Sequence, residues 1–367
     1  MKIGLLHNLY DEFARGGAET VAEQMAEEAL AAGQSVFLIT TKPRLSAKPL
    51  MTTEKNGLRI YYLASRFSNL GESSRLYRVF WQIGHIFSIR KYRQIKKILQ
   101  AERPDIVVTH NLMGLGFLAP LALRRLATHH EHFLHDIQLL HPSGLLFWGQ
   151  EKNIASFNAR IYQALTRALF ASPTKIISPS RWLLELHREH RFFRDSKIEI
   201  RPLEIKPLKS KGTAQPGGQT LLDKQPLAKD SAKDFLFVGQ LETHKGIFLL
   251  LEAFQKINDP TLKLRIIGDG QQAAEARRQA ATDRRIEFLG RLDSRAVQEI
   301  MRASDCLIVP SLCYENSPTV IYEAHAVNLP IIAAEIGGIP EIIGPMDRLF
   351  APGDASDLRQ KIEVATG

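Results

Sequence analysis

Short apolar runs alternate with longer amphipathic runs along most of the chain. In the first half, a strand-like run at residues 2–8 precedes a helix-like run at 20–33, and similar pairs recur up to residue 205. The second half starts the alternation again at Asp234. Because strands that alternate with helices form parallel sheets, the pattern predicts an α/β protein that binds ligands at the carboxyl ends of its strands.

The remaining elements follow from the same periodicity. In the first half, helices are predicted from Gly116 and from Ile154 to Phe170, and strands at SVFLIT, LRIYYL, DIVVTHN, HHEHFLHD, KIISPS and KIEIRP. Residues 206–233 are rich in Lys, Gly, Gln and Pro and lack apolar periodicity, which predicts a flexible linker or surface loop. We therefore expect an N-terminal domain at 1–205 and a C-terminal domain at 234–367.

Residues 306–326 combine a buried strand, a short loop and a helix. Ser317 followed by Pro318 predicts the helix start, because a serine oxygen can accept from free backbone N–H groups and proline has no donor to lose there. That helix end suits a phosphate, and Glu315 and Glu323 could accept hydroxyls on either side of it. A nucleotide sugar has this arrangement of hydroxyls and diphosphate. Taken alone, the two acids are at least as well explained as a loop residue and a helix-surface residue.

Glycines follow other predicted strands of the second half, each only a turn signal by itself. Lys245 comes just before the next predicted helix, where it supplies a point charge for phosphate, and Gly246 would let a backbone approach closely. The other glycines at strand ends are Gly239, Gly268, Gly270, Gly337 and Gly338.

Two predicted strands of the first half end in polar pairs, His110 with Asn111 and His135 with Asp136. Histidine at such an edge can bond a ligand hydroxyl or position a leaving group, although packing or capping explains these residues equally simply. A glycine-rich loop at residues 15–19 follows the first strand and could face an anion, but it lacks the G-x-G-x-x-G spacing. His129, His130 and His132 do not have the spacing of a metal site.

The charge of the chain is uneven. Residues 1–205 hold 28 Lys and Arg against 18 Asp and Glu, whereas the remainder holds 20 against 21. Part of the excess lies in a segment at 75–97 that carries seven basic residues and apolar ones such as Trp81 and Phe87. This segment predicts either contact with anionic lipid or a solvated helix whose apolar side packs on its own domain; nucleic acid is a weaker third interpretation. Its basic residues are Arg75, Arg78, Arg90, Lys91, Arg93, Lys96 and Lys97.

Bulk properties fit a soluble protein with two domains. The 367 residues are 44% hydrophobic and 24% charged, with no apolar run long enough to be a signal peptide or a membrane span. The two cysteines, Cys306 and Cys313, have no metal spacing, which favours a reducing compartment.

These motifs together resemble a known family. FVGQL-x3-KG, IIGDG, the pair Glu315 and Glu323, and GGIPEII are similar to the C-terminal domain of retaining GT-B glycosyltransferases of family 4. GGAE at 16–19, HN at 110–111, HD at 135–136 and SPS at 178–180 are similar to that family's acceptor-side domain. The resemblance implies two Rossmann-like doubly wound domains that face each other across a cleft.

The resemblance also implies roles for individual residues. Lys245 would hold the donor diphosphate, Glu323 the ribose hydroxyls and Glu315 the transferred sugar, with His135 beside that sugar. Glu19, His110, Asn111 and Asp136 would serve the acceptor side. The family works without a metal or a tightly bound cofactor and uses a nucleotide sugar, here a UDP- or GDP-sugar. The other donor-binding positions would be Gly16, Gly17, Gly239, Gln240, Gly268, Gly270, Ser317, Thr319 and Val320.

Three features depart from the family pattern. Gln240 stands where the family has an arginine, RPLEIKP replaces P-N-G-V-D at the end of the first domain, and the helices that cross back to that domain are missing after residue 367. We expect a retaining glycosyltransferase of bacterial-type cell-surface polysaccharide or glycoconjugate synthesis, located in the cytoplasm or peripherally at the inner face of the membrane. The alternatives are a nucleotide-sugar epimerase and an inactive GT-B-like binding subunit.

Overall fold

The computed structural model describes residues 1–10, 17–43, 50–65, 81, 84–203 and 233–366. The chain divides into two compact units. The first unit comprises Met1–Leu146 and Glu151–Pro202, and the second comprises Phe147–Gln150 and Leu203–Gly367. Apart from Lys233, the predicted linker lies outside the described residues, as do Gly16, Arg75 and Arg78.

The first unit is built on one sheet, whose strand order is β3-β4-β2-β1-β5-β6-β7-β8. Its strands are β1 (Lys2–Leu6), β2 (Ser35–Pro43), β3 (Leu50–Lys55), β4 (Leu58–Ser65), β5 (Ile106–Thr109), β6 (His129–Phe133), β7 (Lys175–Ser178) and β8 (Lys197–Ile200). Its helices are α1 (Gly17–Ala31), α2 (Ile89–Glu102), α3 (Ala119–Arg125), α4 (Lys152–Ala155), α5 (Phe157–Phe170) and α6 (Arg181–Glu189).

All pairings in this sheet are parallel except that of the edge strand β3 with β4. The two strands form a hairpin in which Lys55 pairs with Leu58 across Asn56 and Gly57. Both turn residues have positive φ, 51° and 78°. Asn-Gly is the favoured sequence for such a two-residue turn, so the missed strand β3 did have a local signal.

Two predicted helices of this unit have different bounds in the structure. The helix expected from Ile154 to Phe170 is broken at Ser156, whose extended backbone ends α4 and whose side chain caps α5 by accepting from the Ala159 N–H at 3.3 Å. The helix expected from Gly116 starts three residues later, because Gly116 has a φ of 105° that a helix does not allow.

The second unit has a parallel sheet with the order β11-β10-β9-β12-β13-β14. Its strands are β9 (Asp234–Val238), β10 (Lys263–Ile267), β11 (Ile286–Gly290), β12 (Cys306–Val309), β13 (Ile331–Ala334) and β14 (Arg348–Phe350), the last of which was not predicted. Its helices are α7 (Ile247–Gln255), α8 (Ala273–Ala280), α9 (Ser294–Ala303), α10 (Thr319–His325) and α11 (Ala355–Thr366), with short 3-10 helices at Thr243–Lys245 and Ile339–Glu341. Strands β12 and β13 are fully buried, which explains why they are continuous apolar runs.

Both sheets reverse their strand order at a single point. In the first unit β1 lies between β2 and β5, and in the second unit β9 lies between β10 and β12. At such a switch point the two neighbouring loops leave in opposite directions and open a crevice at the carboxyl edge, where ligands of open α/β sheets bind. The prediction of two α/β domains with parallel sheets is confirmed. In the part of the chain that the structure describes, no helix has the length and apolar character needed to cross a bilayer.

Candidate functional site

Lys245 and Glu315 meet at the switch point of the second sheet. Lys245 ends the 3-10 helix that follows β9, and Glu315 lies in the loop after β12. The Lys245 Nζ lies 2.6 Å from the Glu315 Oε1, which also accepts a hydrogen bond from the Ser311 hydroxyl at 3.1 Å. The fold therefore joins two predicted site residues that are 70 positions apart in the sequence.

Both members of this pair remain charged. Burial by itself would lower the pKa of Lys245, but the Glu315 charge, Cys313 and the hydrogen bond to Glu315 together outweigh it and raise that pKa. Burial would likewise raise the pKa of Glu315, but the Lys245 ammonium lowers it below its usual value. The switch point of the second sheet thus holds a stable positive charge next to a stable negative one at neutral pH.

Two glycines allow the loops that carry this pair to come together. Gly246 has a φ of 75°, and a Cβ there would lie 1.7 Å from the Pro310 carbonyl oxygen. Gly337 has a φ of 63°, and a Cβ there would lie 2.2 Å from the Glu315 carbonyl oxygen. The Gly338 N–H donates to the same Glu315 oxygen at 2.8 Å. Side chains at Gly246 or Gly337 would therefore push the loops apart, since both contacts are with backbone.

The other predicted glycines lie at the same edge and contact protein backbone. A Cβ on Gly268 would lie 1.8 Å from the Gly239 oxygen, and one on Gly270 would lie 2.5 Å from the Leu241 oxygen. These close backbone contacts explain why both positions need glycine, without any reference to a ligand. Gln240, which replaces the family arginine, is exposed next to them.

Helix α10 begins at Thr319, the first residue of the predicted helix TVIYEAHA. Pro318 is its N-cap, Thr319 and Val320 are its first two residues, and no side chain caps it. The prediction that Ser317 caps this helix is wrong, because its hydroxyl shares a 2.7 Å hydrogen bond with the Tyr322 hydroxyl instead.

Glu323 lies one turn into α10 and is partly buried. Burial raises the pKa of this carboxyl. Among the described residues, no hydrogen bond or ion pair is made by the side chain of Glu323. Its acceptor capacity is therefore not used within the described part of the protein.

The four residues Phe147–Gln150 hold the loop that leads to Glu315. The Trp148 N–H donates to the Leu312 oxygen at 2.9 Å, and Phe147 forms an antiparallel bridge with Cys313. The Phe147 ring also meets the His244 ring edge-on at 6.3 Å. Sequence analysis did not find this segment, because nothing local marks a four-residue stretch as a pairing partner for a loop more than 160 positions away.

Three histidines meet at the switch point of the first sheet. His7, His110 and His135 follow the neighbouring strands β1, β5 and β6. The His110 Nδ1 and the His135 Nε2 share a 2.8 Å hydrogen bond, and the His7 ring lies edge-on to His110 at 5.6 Å. Sequence analysis missed His7, although a signal exists: the pair His-Asn follows β1 and β5, and His-Asp follows β6.

All three imidazoles are held neutral. Burial lowers the pKa of His110 to about 3 and places the pKa values of His7 and His135 well below the usual 6.5. For His7 and His135, the nearby histidines lower these values further. The cluster therefore offers neutral donors and acceptors rather than charge.

The other predicted acceptor-side residues adjoin this cluster. The Asn111 Nδ2 donates to the Asp136 Oδ2 at 2.9 Å, and the Gln138 N–H donates to the Asp136 Oδ1 at 2.7 Å. Burial raises the pKa of Asp136 to about 6, and the charge of Glu19 adds to this rise. Glu19 is buried in the first turn of α1, which Gly17 begins.

The neighbouring histidines of β6 serve packing. The Thr109 hydroxyl lies 2.8 Å from the His130 Nε2 and 2.9 Å from the His132 Nδ1. Within the described ranges, no group of three or more His, Cys, Asp or Glu is arranged to hold a metal ion.

In the described part of the basic segment 75–97, the apolar and basic side chains lie on different faces of α2. On α2, Ile95 and Ile98 are buried in the core, whereas Arg90, Arg93 and Lys97 are exposed. Close to the amino end of α2, the exposed apolar side chains are Phe87 at 47% and Ile89 at 59%. The interpretation that Ile95 and Ile98 pack on their own domain is therefore correct, whereas Phe87 and Ile89 stay exposed.

Comparison with family models covers most of the chain. A model described as glycosyl transferase 4-like domain matches residues 16–204, and one described as glycosyl transferases group 1 matches residues 219–365. The first match spans more than half of the sequence.

Two relatives align over nearly the full length. An uncharacterised 42.6 kDa protein in the cps region of Klebsiella pneumoniae is 24% identical, over 98% of this chain and 91% of its own. A putative teichuronic acid biosynthesis glycosyltransferase of Bacillus subtilis is also 24% identical, over 99% of this chain and 88% of its own.

Solved structures share the fold. A sucrose-phosphate synthase from Thermosynechococcus elongatus has a TM-score of 0.69 at 19% identity, covering 99% of this chain and 88% of that one. HepE of Anabaena in complex with UDP-glucose has a TM-score of 0.65 at 16% identity, covering 99% and 89%. These likenesses identify the fold as that of GT-B glycosyltransferases.

Proposed function

This chain belongs to the glycosyl transferase 4-like family of glycosyltransferases, and from that premise we propose that it moves a sugar from a nucleotide sugar to a glycan or lipid-linked acceptor. The relatives in a cps region and in teichuronic acid biosynthesis support a role in cell-surface polysaccharide synthesis. The structure of HepE with UDP-glucose supports a UDP-sugar as donor, with a GDP-sugar as the alternative.

The observation that carries this proposal is the ion pair of Lys245 and Glu315 at the switch point of the second sheet, where the side chains are 28% and 15% exposed. Lys245 has three N–H donors, of which one faces Glu315 at 2.6 Å. The remaining donors suit the oxygens of a diphosphate. Glu315, kept ionised by Lys245, suits the hydroxyls of the sugar.

Glu323 completes the proposed donor site. Its carboxylate has no partner among the described residues, and burial penalises its charge. Two neighbouring ribose hydroxyls would satisfy its oxygens by donating to them. Backbone groups around Ser317 to Val320 and the glycines at the strand ends complete the contacts that we expect.

During transfer, the bond from the sugar C1 to the diphosphate oxygen breaks, and the electron pair stays on the diphosphate. The growing negative charge favours a site that already holds a cation, and Lys245 provides it without reorganisation. We expect no bound metal and no tightly bound cofactor. We expect the anomeric configuration of the donor to be retained, with attack from the face of the leaving group as one route.

On the acceptor side, the neutral histidines suit hydroxyl groups. His135 can donate or accept one hydrogen bond without carrying charge, since burial lowers its pKa. Asp136, with a pKa of about 6, is the group at this edge that suits a proton exchange near neutral pH. His110 and Asn111 hold His135 and Asp136 in place.

The test is product analysis with purified protein. We would incubate it with UDP-glucose, UDP-galactose, UDP-N-acetylglucosamine and GDP-mannose, together with a lipid-linked glycan extract, and measure nucleotide release and the anomeric signals of the product by NMR. A new glycoside with retained configuration supports the proposal, and an inverted one would contradict retention. An epimerised donor would identify an epimerase, and donor binding without release would identify an inactive subunit.

We also propose that the protein works in the cytoplasm and associates peripherally with the inner membrane face through the exposed side of α2. Arg90, Arg93 and Lys97 carry the charge, and Phe87 and Ile89 supply exposed apolar surface. Flotation with anionic vesicles tests this. Changing the three basic residues to Gln should remove most of the floated protein, whereas the matched triple change of Arg278, Arg284 and Arg302 should not. Equal flotation of both variants would reject the membrane role.

A further inference from the structure

Lys91 lies where an isolated cation is electrostatically disfavoured. It is the third residue of α2, a helix whose first turn holds Arg90 and Lys91 but no acid, and whose N-cap Ser88 makes no side-chain cap bond. The first turn of a helix presents free N–H groups and the positive end of its dipole. Two cations at this end are unfavourable unless an anion lies there too.

The side chain of Lys91 points to the carboxyl edge of the first sheet. Its Nζ donates to the Ser65 hydroxyl at 3.2 Å and to the Gly114 carbonyl oxygen. Ser65 ends β4, and Gly114 lies in the loop after β5. No carboxylate of the described residues forms an ion pair with Lys91, and burial lowers its pKa to about 8. One of its three N–H donors is left for another group.

His85 provides the second observation. It is only 4% exposed, and neither of its ring nitrogens has a hydrogen-bond partner in the ranges that the structure describes. The imidazole stacks on Trp81 at 4.9 Å, and its pKa is lowered to about 3 by burial and by the charge of Lys91 nearby. A buried polar ring without hydrogen-bond partners is unfavourable, and His85 lies at the start of α2, where the Ser88 N–H donates to the His85 carbonyl oxygen at 3.3 Å. A ligand at this helix end would supply the missing partner.

We propose that Lys91, His85 and the first turn of α2 bind an oxyanion, either a phosphate or a carboxylate, that belongs to the acceptor. The Lys91 ammonium supplies the charge and the neutral His85 imidazole donates one N–H, while the first turn of α2 adds the positive end of its dipole. Only the assignment of this anion to an acceptor rests on the proposed function; the binding of the anion does not.

The simpler explanation is that Lys91 only ties β4 to the loop after β5. The two explanations differ in what Lys91→Arg and Lys91→Gln do. A tie needs hydrogen-bond donors, whereas an anion site needs the charge, which Arg keeps and Gln removes. Lys152 belongs to the same unit, is exposed and has no role in either proposed surface, so Lys152→Gln removes the same charge without touching the proposed site.

Isothermal titration with small anions tests the proposal without any need for glycosyl transfer. Inorganic phosphate and pyrophosphate form one arm, and glucuronate and acetate form the other. All variants would be made in the background Lys245→Met with Glu315→Gln, so that the second unit offers no ammonium to the anion. Circular dichroism would verify that each variant is folded.

We expect saturable binding in one arm, a loss of affinity of at least about tenfold in Lys91→Gln, and less than about twofold change in Lys91→Arg and Lys152→Gln. Binding in the phosphate arm identifies a phosphate-bearing acceptor, and binding in the carboxylate arm an acidic sugar. No saturable binding in either arm, or equal losses in Lys91→Gln and Lys152→Gln, would overturn the proposal. A failure of sugar transfer would count only against the proposed function.

Discussion

At the switch point of the second sheet, Lys245 and Glu315 are partly buried and charged, whereas at the switch point of the first sheet His7, His110 and His135 are neutral. The topology of the two edges is the same, since in each sheet the first strand of the unit lies at the reversal of strand order. The charge states differ because Lys245 and Glu315 each have an opposite charge as partner, whereas the neighbours of the histidines are other histidines. Removing an ion from water costs several kcal/mol, and only an opposite charge in good geometry offsets that cost.

Because of this difference in charge, we expect the two edges to bind different chemical groups. A persistent cation favours a phosphate, because its charge is already in place before the ligand arrives. Neutral imidazoles favour hydroxyls, which need directional bonds but no counter-charge. Each of the following experiments tests whether the two edges differ in charge and in the ligands that they bind.

The largest expected effect is that of Lys245→Met. Because it leaves the partly buried Glu315 carboxylate without its cation, we expect a loss of stability of about 1–3 kcal/mol and a loss of transfer of about 100-fold or more. Thermal unfolding and nucleotide release measure the two effects. Adding Glu315→Gln should restore most of the stability but not the transfer. Recovery of transfer in that double variant would mean that Lys245 acts only on structure.

Asp136→Asn should change the pH dependence of stability. The folded pKa of about 6 lies above the usual 3.8, so ionisation of Asp136 destabilises the fold. This cost is absent below about pH 4, grows as the pH rises to 6 and is complete above it. Relative to the wild type, the variant should therefore gain on the order of 3 kcal/mol at most between pH 4 and pH 7.5. A melting-temperature difference that does not change with pH would contradict the raised pKa.

Glu323→Ala should weaken binding of the nucleotide sugar by about 1–3 kcal/mol, since it removes a charged acceptor for ribose hydroxyls. Glu287 on the edge strand β11 is exposed and provides the matched control. Calorimetric titration with UDP and GDP measures both variants. Equal affinities in Glu323→Ala and Glu287→Ala would remove Glu323 from the donor site.

The smallest expected effect is that of pH on His135. Because burial keeps its pKa well below 6.5, we expect its ring signals in NMR spectra to stay constant between pH 5 and pH 8. In urea-unfolded protein the same ring should titrate near 6.5. A midpoint above pH 6 in the folded protein would show that His135 does carry charge near neutral pH, which would contradict the neutral histidine cluster.

Periodicity predicted most strands and helices, since alternation of apolar runs depends only on local sequence. The order of strands and loops also led to Lys245 and Glu315 as site residues. Their ion pair was not predicted, because a contact between residues 70 positions apart can be seen only in the folded chain. Ser317 was misassigned as a cap since its hydroxyl has a competing partner in Tyr322 that appears only once α10 has formed. His7 and the hairpin at Asn56 had readable signals that the sequence analysis did not use.

The segment Phe147–Gln150 affects where the protein can be cut to produce the second unit alone. The second unit is not one continuous stretch, because these four residues belong to it although the first unit flanks them on both sides. A shortened protein starting at Leu203 would keep all six strands of its sheet but lose the backbone partners of Leu312 and Cys313. We expect such a fragment to have a loosened Glu315 loop and poor nucleotide affinity, so that cutting at the apparent linker removes part of the donor machinery.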